Sequence, residues 1–118
     1  MDNSQTIEAL SALAQATRLE AFKLLVKFAV DGVPAGEIAR LLEVPHNTMS
    51  AHLSVLSRAG LIRSEKQSRS VIYYPELERV REVVSFLLKD CCAGHPQICT
   101  PLMSDLVPCC DPKEKQRV

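Results

Sequence analysis

Tryptophan is absent from this chain, and aromatic residues make up only 4% of it. A core with so few large rings must be filled mainly by aliphatic side chains, which suits packed helices. Neither charge is in excess: 14 Lys and Arg balance 14 Asp and Glu. A chain-wide attraction to nucleic acid or to an anionic surface is therefore excluded, and any such binding must come from a local basic face. No apolar run approaches the ~20 residues needed to cross a bilayer. Asp2, Glu8, Arg18 and Glu20 interrupt the N-terminus before any long apolar stretch. No secretory signal is expected, and the expected compartment is the cytoplasm. Marks of catalysis are also missing: there is no Cys-x-x-Cys, no carboxylate pair and no Gly-rich phosphate loop, so an enzyme is not expected. Cysteine does not occur before residue 91, yet five follow from there on. In a reducing compartment these are not a disulfide framework. Metal or metalloid binding, or redox sensing, is the better starting point.

What is present is enough for one domain with a modest core: 118 residues, 47% of them hydrophobic. The stretch from Glu37 to Leu61, EIARLLEVPHNTMSAHLSVLSRAGL, reads as two helices with a sharp turn between them. Ile38, Ala39, Leu41 and Leu42 give the first an apolar face. Val44-Pro45 interrupts it, because proline disfavours helical geometry in the residue before it. Pro45 can still sit at or just before the start of a new helix. The second helix, His46 to Ala59, places Met49, Leu53 and Leu56 on one face at helical spacing. Its other face carries Asn47, Thr48, Ser50, His52, Ser54, Ser57 and Arg58, and Gly60 stops it. This is the pattern of a helix-turn-helix, whose second helix lies in the DNA major groove. An ordinary helix pair with a solvated polar face would share the periodicity. From Pro45 to Ile72 the basic residues are Arg58, Arg63, Lys66 and Arg69, and the only acid is Glu65.

Upstream, residues 1–15 hold a first helix, with Asn3 or Ser4 as its cap and Ile7, Leu10, Leu13 and Ala14 along one face. Thr17 to Ala29 forms a second, with Leu19, Phe22, Leu25 and Val26 facing inward, and Asp31-Gly32 is a turn. Downstream of Gly60 the period changes. Residues 61–66 and the β-branched and aromatic run Val71-Ile72-Tyr73-Tyr74 predict a two-stranded hairpin ended by Pro75. The polar tip, residues 67–70, sets Arg69 near a phosphate or in the minor groove, as the wing of a winged helix; otherwise Arg69 is a solvated loop charge. Glu76 to Cys91 returns to helical spacing through Leu77, Val80, Val83, Val84, Leu87 and Leu88. A small domain with a long apolar terminal helix needs a partner to cover it. The expected dimer seam therefore runs along the first and last helices, through Ile7, Leu10, Val80, Val84 and Leu87. Four prolines and Gly94 exclude a long helix after Lys89. The expected division is a winged-helix and dimerisation domain over 1–90 and a cysteine-rich tail over 91–118.

The runs ALAQATRLEAFKLL, IARLLEVPHNTMSAHLSVLSRAGLI and EKQSRSVIYYPEL resemble the arsenic-responsive repressor family, ArsR/SmtB, over residues 8 to 90. The resemblance implies a mainly helical winged helix-turn-helix with five helices and a small β-hairpin between the fourth and fifth. It implies a homodimer on palindromic operator DNA that leaves the DNA when an ion binds. It places His46, Asn47, Thr48, Ser50 and Ala51 against the bases, and His52 and Arg58 nearer the backbone. Departures are visible. Ala14-Gln15-Ala16-Thr17-Arg18 stands where members often carry Ala-Asp-Pro-Thr-Arg, and Pro45 replaces the usual Ser. The Cys-Val-Cys of well-known arsenite sensors reads Pro34-Ala35-Gly36 here, and Leu77 to Lys89 has no His for the family's zinc site on the last helix. Cys91, Cys92 and Cys99 instead match a subgroup that senses arsenite just after the last helix.

Soft thiolates select soft ions. Trivalent arsenic accepts three sulfurs and keeps a lone pair, and Sb(III) or a methylated arsenite has related chemistry. Gly94 and Pro96 let the chain turn back, so that Cys99 supplies the third thiolate at modest loop-closure cost. The same atoms admit rivals. Cys91, Cys92, His95 and Cys99 make a Cys3His set for Zn(II) or Cd(II), although adjacent cysteines are unusual for zinc; the alternative for His95 is a solvated loop histidine. Cys91 or Cys92 could pair oxidatively with Cys99. Cys109 and Cys110 form a second pair, an additional ligand source or a non-essential one. A thiol oxidoreductase or metal-handling protein without DNA binding is the alternative of a different class.

Overall fold

The structure, a computed structural model, describes residues 1–88. Five helices and three short strands follow in the order α1 Asn3–Leu13, α2 Ala16–Lys27, β1 Val33–Pro34, α3 Ala35–Leu42, α4 His46–Arg58, β2 Ile62–Gln67, β3 Ser70–Pro75 and α5 Leu77–Leu88. One compact unit spans Met1–Val83; residues 84–88 complete α5 beyond it. The expected end of that helix, residues 89–91, lies outside the described residues. No helix among the described residues is long and apolar enough to cross a membrane.

Local chemistry accounts for the helix starts. Asp2, not Asn3 or Ser4, caps α1, because Gln5 three residues on completes a reciprocal pair. The Asp2 carboxylate accepts from the Gln5 amide at 2.8 Å, and the Gln5 side-chain oxygen accepts from the Asp2 amide at 3.1 Å. Gln15 caps α2 by accepting from the Arg18 amide at 2.8 Å. The departure from Asp at that position therefore keeps a capping oxygen.

The core holds Leu25, Ile38, Met49, Leu53, Leu56 and Leu61, all fully buried. Met49, Leu53 and Leu56 are the inward face of α4 that the spacing predicts. The inner faces of α1 and α2 differ from the expected ones. On α1, Thr6, Ala9 and Ala12 are buried, while Ile7 and Leu10 stay 65% and 42% exposed. On α2, Ala21 joins Phe22 and Leu25 inside, and Leu19 and Val26 are exposed. On α1 small residues occupy the inner face and the larger Ile7 and Leu10 stand outside, whereas α2 keeps Phe22 and Leu25 inside beside Ala21.

The hairpin is part of a three-stranded antiparallel sheet, order β1-β3-β2. β2 and β3 pair from Ile62 with Pro75 to Gln67 with Ser70. The unexpected strand is β1, in which Val33 pairs with Tyr73 and Pro34 with Ile72. Gly32, at φ +74°, turns the chain into it. The two residues of this edge strand are too few to show a period, so only the pairing partner reveals them.

Candidate nucleic-acid interface

The turn into α4 is built by backbone geometry. Glu43 takes a left-handed φ of 56°, ending α3 one residue before Val44-Pro45. Its amide donates to the Arg40 carbonyl at 3.2 Å, and the Val44 amide reaches the Ala39 carbonyl at 3.0 Å. Pro45, extended at φ −54° and ψ 144°, then leads into His46. The break is thus set by Glu43, and Pro45 opens the next helix.

With Met49, Leu53 and Leu56 buried, the opposite side of α4 is exposed. His46, Asn47, Thr48, Ser50, Ala51 and Arg58 are all exposed, and His52 is half-buried. At 3.6 residues per turn, Asn47, Ala51 and Arg58 fall in one stripe that also contains exposed Ser54. α4 contains no acidic residue. Asn47 Oδ1 accepts from the Thr48 amide at 3.0 Å, which leaves its Nδ2 hydrogens for another partner. Arg58 sits in the last turn, where a cation is favoured by the helix dipole.

Ser68 and Arg69 form the two-residue tip between β2 and β3, with Ser68 at φ 56°. Arg69 is exposed. Among the described residues Arg58, Lys66 and Arg69 make no ion pair. Arg63 is spoken for: it pairs with Glu65 at 2.5 Å and with Glu76 at 3.3 Å, and its guanidinium lies 4.4 Å from the centre of the Tyr74 ring. The local basic surface is therefore three cations, not the four counted from sequence.

One side chain that sequence reasoning did not single out reaches α4 from α2. Arg18 donates through Nε to the Ala12 carbonyl at 2.6 Å and stands with Nη1 3.3 Å from His52 Nδ1. The partners are 34 positions apart, and no local pattern announces such a contact.

Comparison with known proteins agrees with this geometry. A family model for a helix-turn-helix domain matches residues 13–65. An uncharacterised helix-turn-helix-type transcriptional regulator of Methanocaldococcus jannaschii is 30% identical over 80 residues, 68% of this chain and 88% of that one. The chain belongs to the helix-turn-helix transcriptional regulators. A second relative of this regulator is the transcriptional activator HlyU of Vibrio cholerae, 25% identical over 94 residues, 80% of this chain and 84% of HlyU. The structure of reduced HlyU superposes with a TM-score of 0.58 at 27% identity, covering 72% of this chain and 85% of that one. A homodimeric winged helix-turn-helix DNA-binding domain from Mycobacterium bovis, a possible ArsR-family regulator, is 23% identical with a TM-score of 0.60. It covers 78% of this chain and 85% of that one, and it shows the fold alone. The regulator has the winged helix of ArsR-type proteins, and its relatives regulate transcription and are not enzymes.

The remaining expected sites divide between described and undescribed residues. Ile7 and Leu10 are exposed on α1 and Leu87 on α5, Val84 is half-buried, and Val80 packs partly against the regulator's own core. Cys91, Cys92, His95, Cys99, Cys109 and Cys110 lie outside the described residues. Among the described residues no three His, Cys, Asp or Glu side chains gather to hold a metal.

Proposed function

We propose that this regulator is a cytoplasmic repressor that binds palindromic operator DNA as a homodimer and leaves it when Cys91, Cys92 and Cys99 together bind As(III) or Sb(III), or when two of them bind a methylated arsenite, whose As–C bond leaves two exchangeable positions. The observation that carries the DNA half is the exposed, acid-free face of α4 in a chain whose hairpin tip bears Arg69. His46 and Asn47 have the donors and acceptors to read base edges. Thr48, Ser50 and Ala51 adjoin them, while His52, Arg58 and Arg69 serve the backbone. Exposed Ile7 and Leu10 on α1 and Leu87 on α5 are apolar groups that a second copy would cover, and the M. bovis neighbour is homodimeric. The inducer half is supported by the sequence: Cys91, Cys92 and Cys99 follow within eleven residues of the end of α5. They would exchange with the three hydroxyls of arsenous acid, forming three As–S bonds and releasing three waters. A coupling of about 1–3 kcal/mol through α5 changes DNA affinity about 5–150-fold, enough to empty an operator.

A second reading is favoured by HlyU, an activator whose structure is that of a reduced form. In it, Cys91 or Cys92 and Cys99 lose two electrons and two protons to a peroxide and form a disulfide. A Cys3His site with His95 for Zn(II) or Cd(II) uses the same atoms. Fluorescence-anisotropy release titrations with As(III), Sb(III), Zn(II), Cd(II) and hydrogen peroxide separate the three. Cys91→Ser, Cys92→Ser and Cys99→Ser should each still bind DNA and respond poorly to As(III), while the Cys109→Ser, Cys110→Ser double variant responds almost normally. Release by peroxide alone would replace the arsenite reading with the redox one. Failure of only the Cys109, Cys110 variant would place the sensor elsewhere.

A further inference from the structure

We infer that Arg18 is a positioning residue for DNA binding: it locks the His52 imidazole by Nδ1, so that α4 offers Nε2–H as a fixed donor to a backbone phosphate. The inference rests on the reading of α4 as the DNA-facing helix and deepens it.

Arginine has only donors, so the 3.3 Å approach of its Nη1 to His52 Nδ1 is a hydrogen bond only when that nitrogen accepts. The imidazole then carries its proton on Nε2. The same guanidinium is held at its other edge, since Nε donates to the Ala12 carbonyl at 2.6 Å. Ala12 lies in the last turn of α1, among the carbonyls that have no partner inside the helix. The Arg18 backbone is fixed as well, because its amide donates to the capping Gln15 side chain. Arg18 therefore ties the end of α1, the start of α2 and the middle of α4 at one point, and it is a fork only arginine can supply.

The free ring nitrogen is not buried. His52 is half-buried, and among the described residues no buried side-chain nitrogen or oxygen lacks a partner. Nε2 makes no hydrogen bond among the described residues, so it reaches the surface. It does so on α4 one turn after exposed Thr48 and six residues before exposed Arg58, at the edge of the acid-free face. A pinned donor there has lost its rotamer freedom before DNA arrives, and the complex does not have to supply that ordering.

The test uses the full chain and a fluorescein-labelled duplex of random sequence, because a phosphate contact carries no sequence information. Long-range proton–nitrogen spectra of the free wild type should show His52 with Nε2 protonated and Nδ1 bare. In Arg18→Met the two nitrogens should average. Arg18→Met and His52→Ala should each weaken binding about 10-fold, and the double variant should be no weaker than His52→Ala alone. Losses that multiply to about 100-fold, or a protonated Nδ1 in the wild type, would overturn the assignment. Two variants decide it without touching Arg18. His52→Gln, with its amide near the Nε2 position, should bind within a few-fold of wild type. His52→Asn, which keeps only the Arg18-facing group, should lose about 10-fold; the reverse order overturns the proposal. Wild type that shows a bare Nδ1 yet fails to bind the duplex would instead bring down the DNA reading of α4, and the inference with it.

Discussion

Gly32 and Gly60 make a matched pair of perturbations. Both have left-handed backbone, φ +74° and +79°, so an alanine at either costs about 1–2 kcal/mol in backbone strain. The gain from restricting the unfolded chain is the same for both and cancels in the comparison. What differs is the neighbour. A Cβ on Gly32 would stand 2.6 Å from Ile72 Cγ2 and from Tyr74 Cε1. Neither can step aside freely, because β3 is paired along both edges, the Tyr74 ring also packs the Arg63 guanidinium, and the Tyr74 hydroxyl accepts from Gln67 Nε2 at 3.3 Å. Overpacking of this kind costs about 1–3 kcal/mol, for a total of about 2–5 kcal/mol in Gly32→Ala. A Cβ on Gly60 meets Arg79 Nε at 2.6 Å, the mobile end of a long side chain. Swinging it away loses little beyond a partly exposed pair with Glu82, so Gly60→Ala should cost only the backbone share. Urea unfolding of the two variants should therefore separate them by about 1–3 kcal/mol, or several degrees in melting temperature. Equal losses, or a larger loss at Gly60, would refute the claim that β3 is rigidly held against the α2–β1 turn.

Further outcomes follow from the wing, the dimer faces and the ion pairs. Arg69→Ala should weaken binding about equally on matched and mismatched DNA and reduce the salt slope by about one unit; unchanged salt dependence would remove the wing from the interface. Ile7→Glu changes a residue that is 65% exposed in the single chain, so it should leave the folded monomer within about 0.5 kcal/mol. Sedimentation should nevertheless show the proposed homodimer lost, as an unpaired charge enters the proposed apolar seam; Leu87→Glu should act alike, and a tight dimer in both would move the seam. The Arg40 guanidinium beside Glu37 holds its carboxyl below the usual range. The stabilisation is present above the unfolded carboxyl's pKa and is lost as pH falls through the lowered folded one. Because the pair is on the surface, Glu37→Gln should barely alter the acid limb of a stability–pH curve.

The sequence by itself determined the elements whose information is local. Met49, Leu53 and Leu56 recur at helical steps, and burial of that stripe exposes Asn47, Ser50 and Arg58 on the other side. The β-branched and aromatic run Val71-Ile72-Tyr73-Tyr74, the polar tip before it and Pro75 after it suffice for a hairpin with Arg69 at its tip. The tertiary structure decided what depends on partners distant in the chain. Periodicity on α1 marks Ile7 and Leu10 as an apolar stripe without saying what covers it; the chain's own core takes Thr6, Ala9 and Ala12 instead. Arg63 looks like a phosphate cation until Glu76 and Tyr74 are placed beside it. The strand at Val33–Pro34 exists only through pairing with β3, and the Arg18–His52 contact only through the packing of α2 on α4. Helical and strand periods are written in neighbouring residues because they follow from backbone geometry. The pairing of a charge or an edge depends on which surfaces the folded chain brings within about 3 Å, the range of a hydrogen bond.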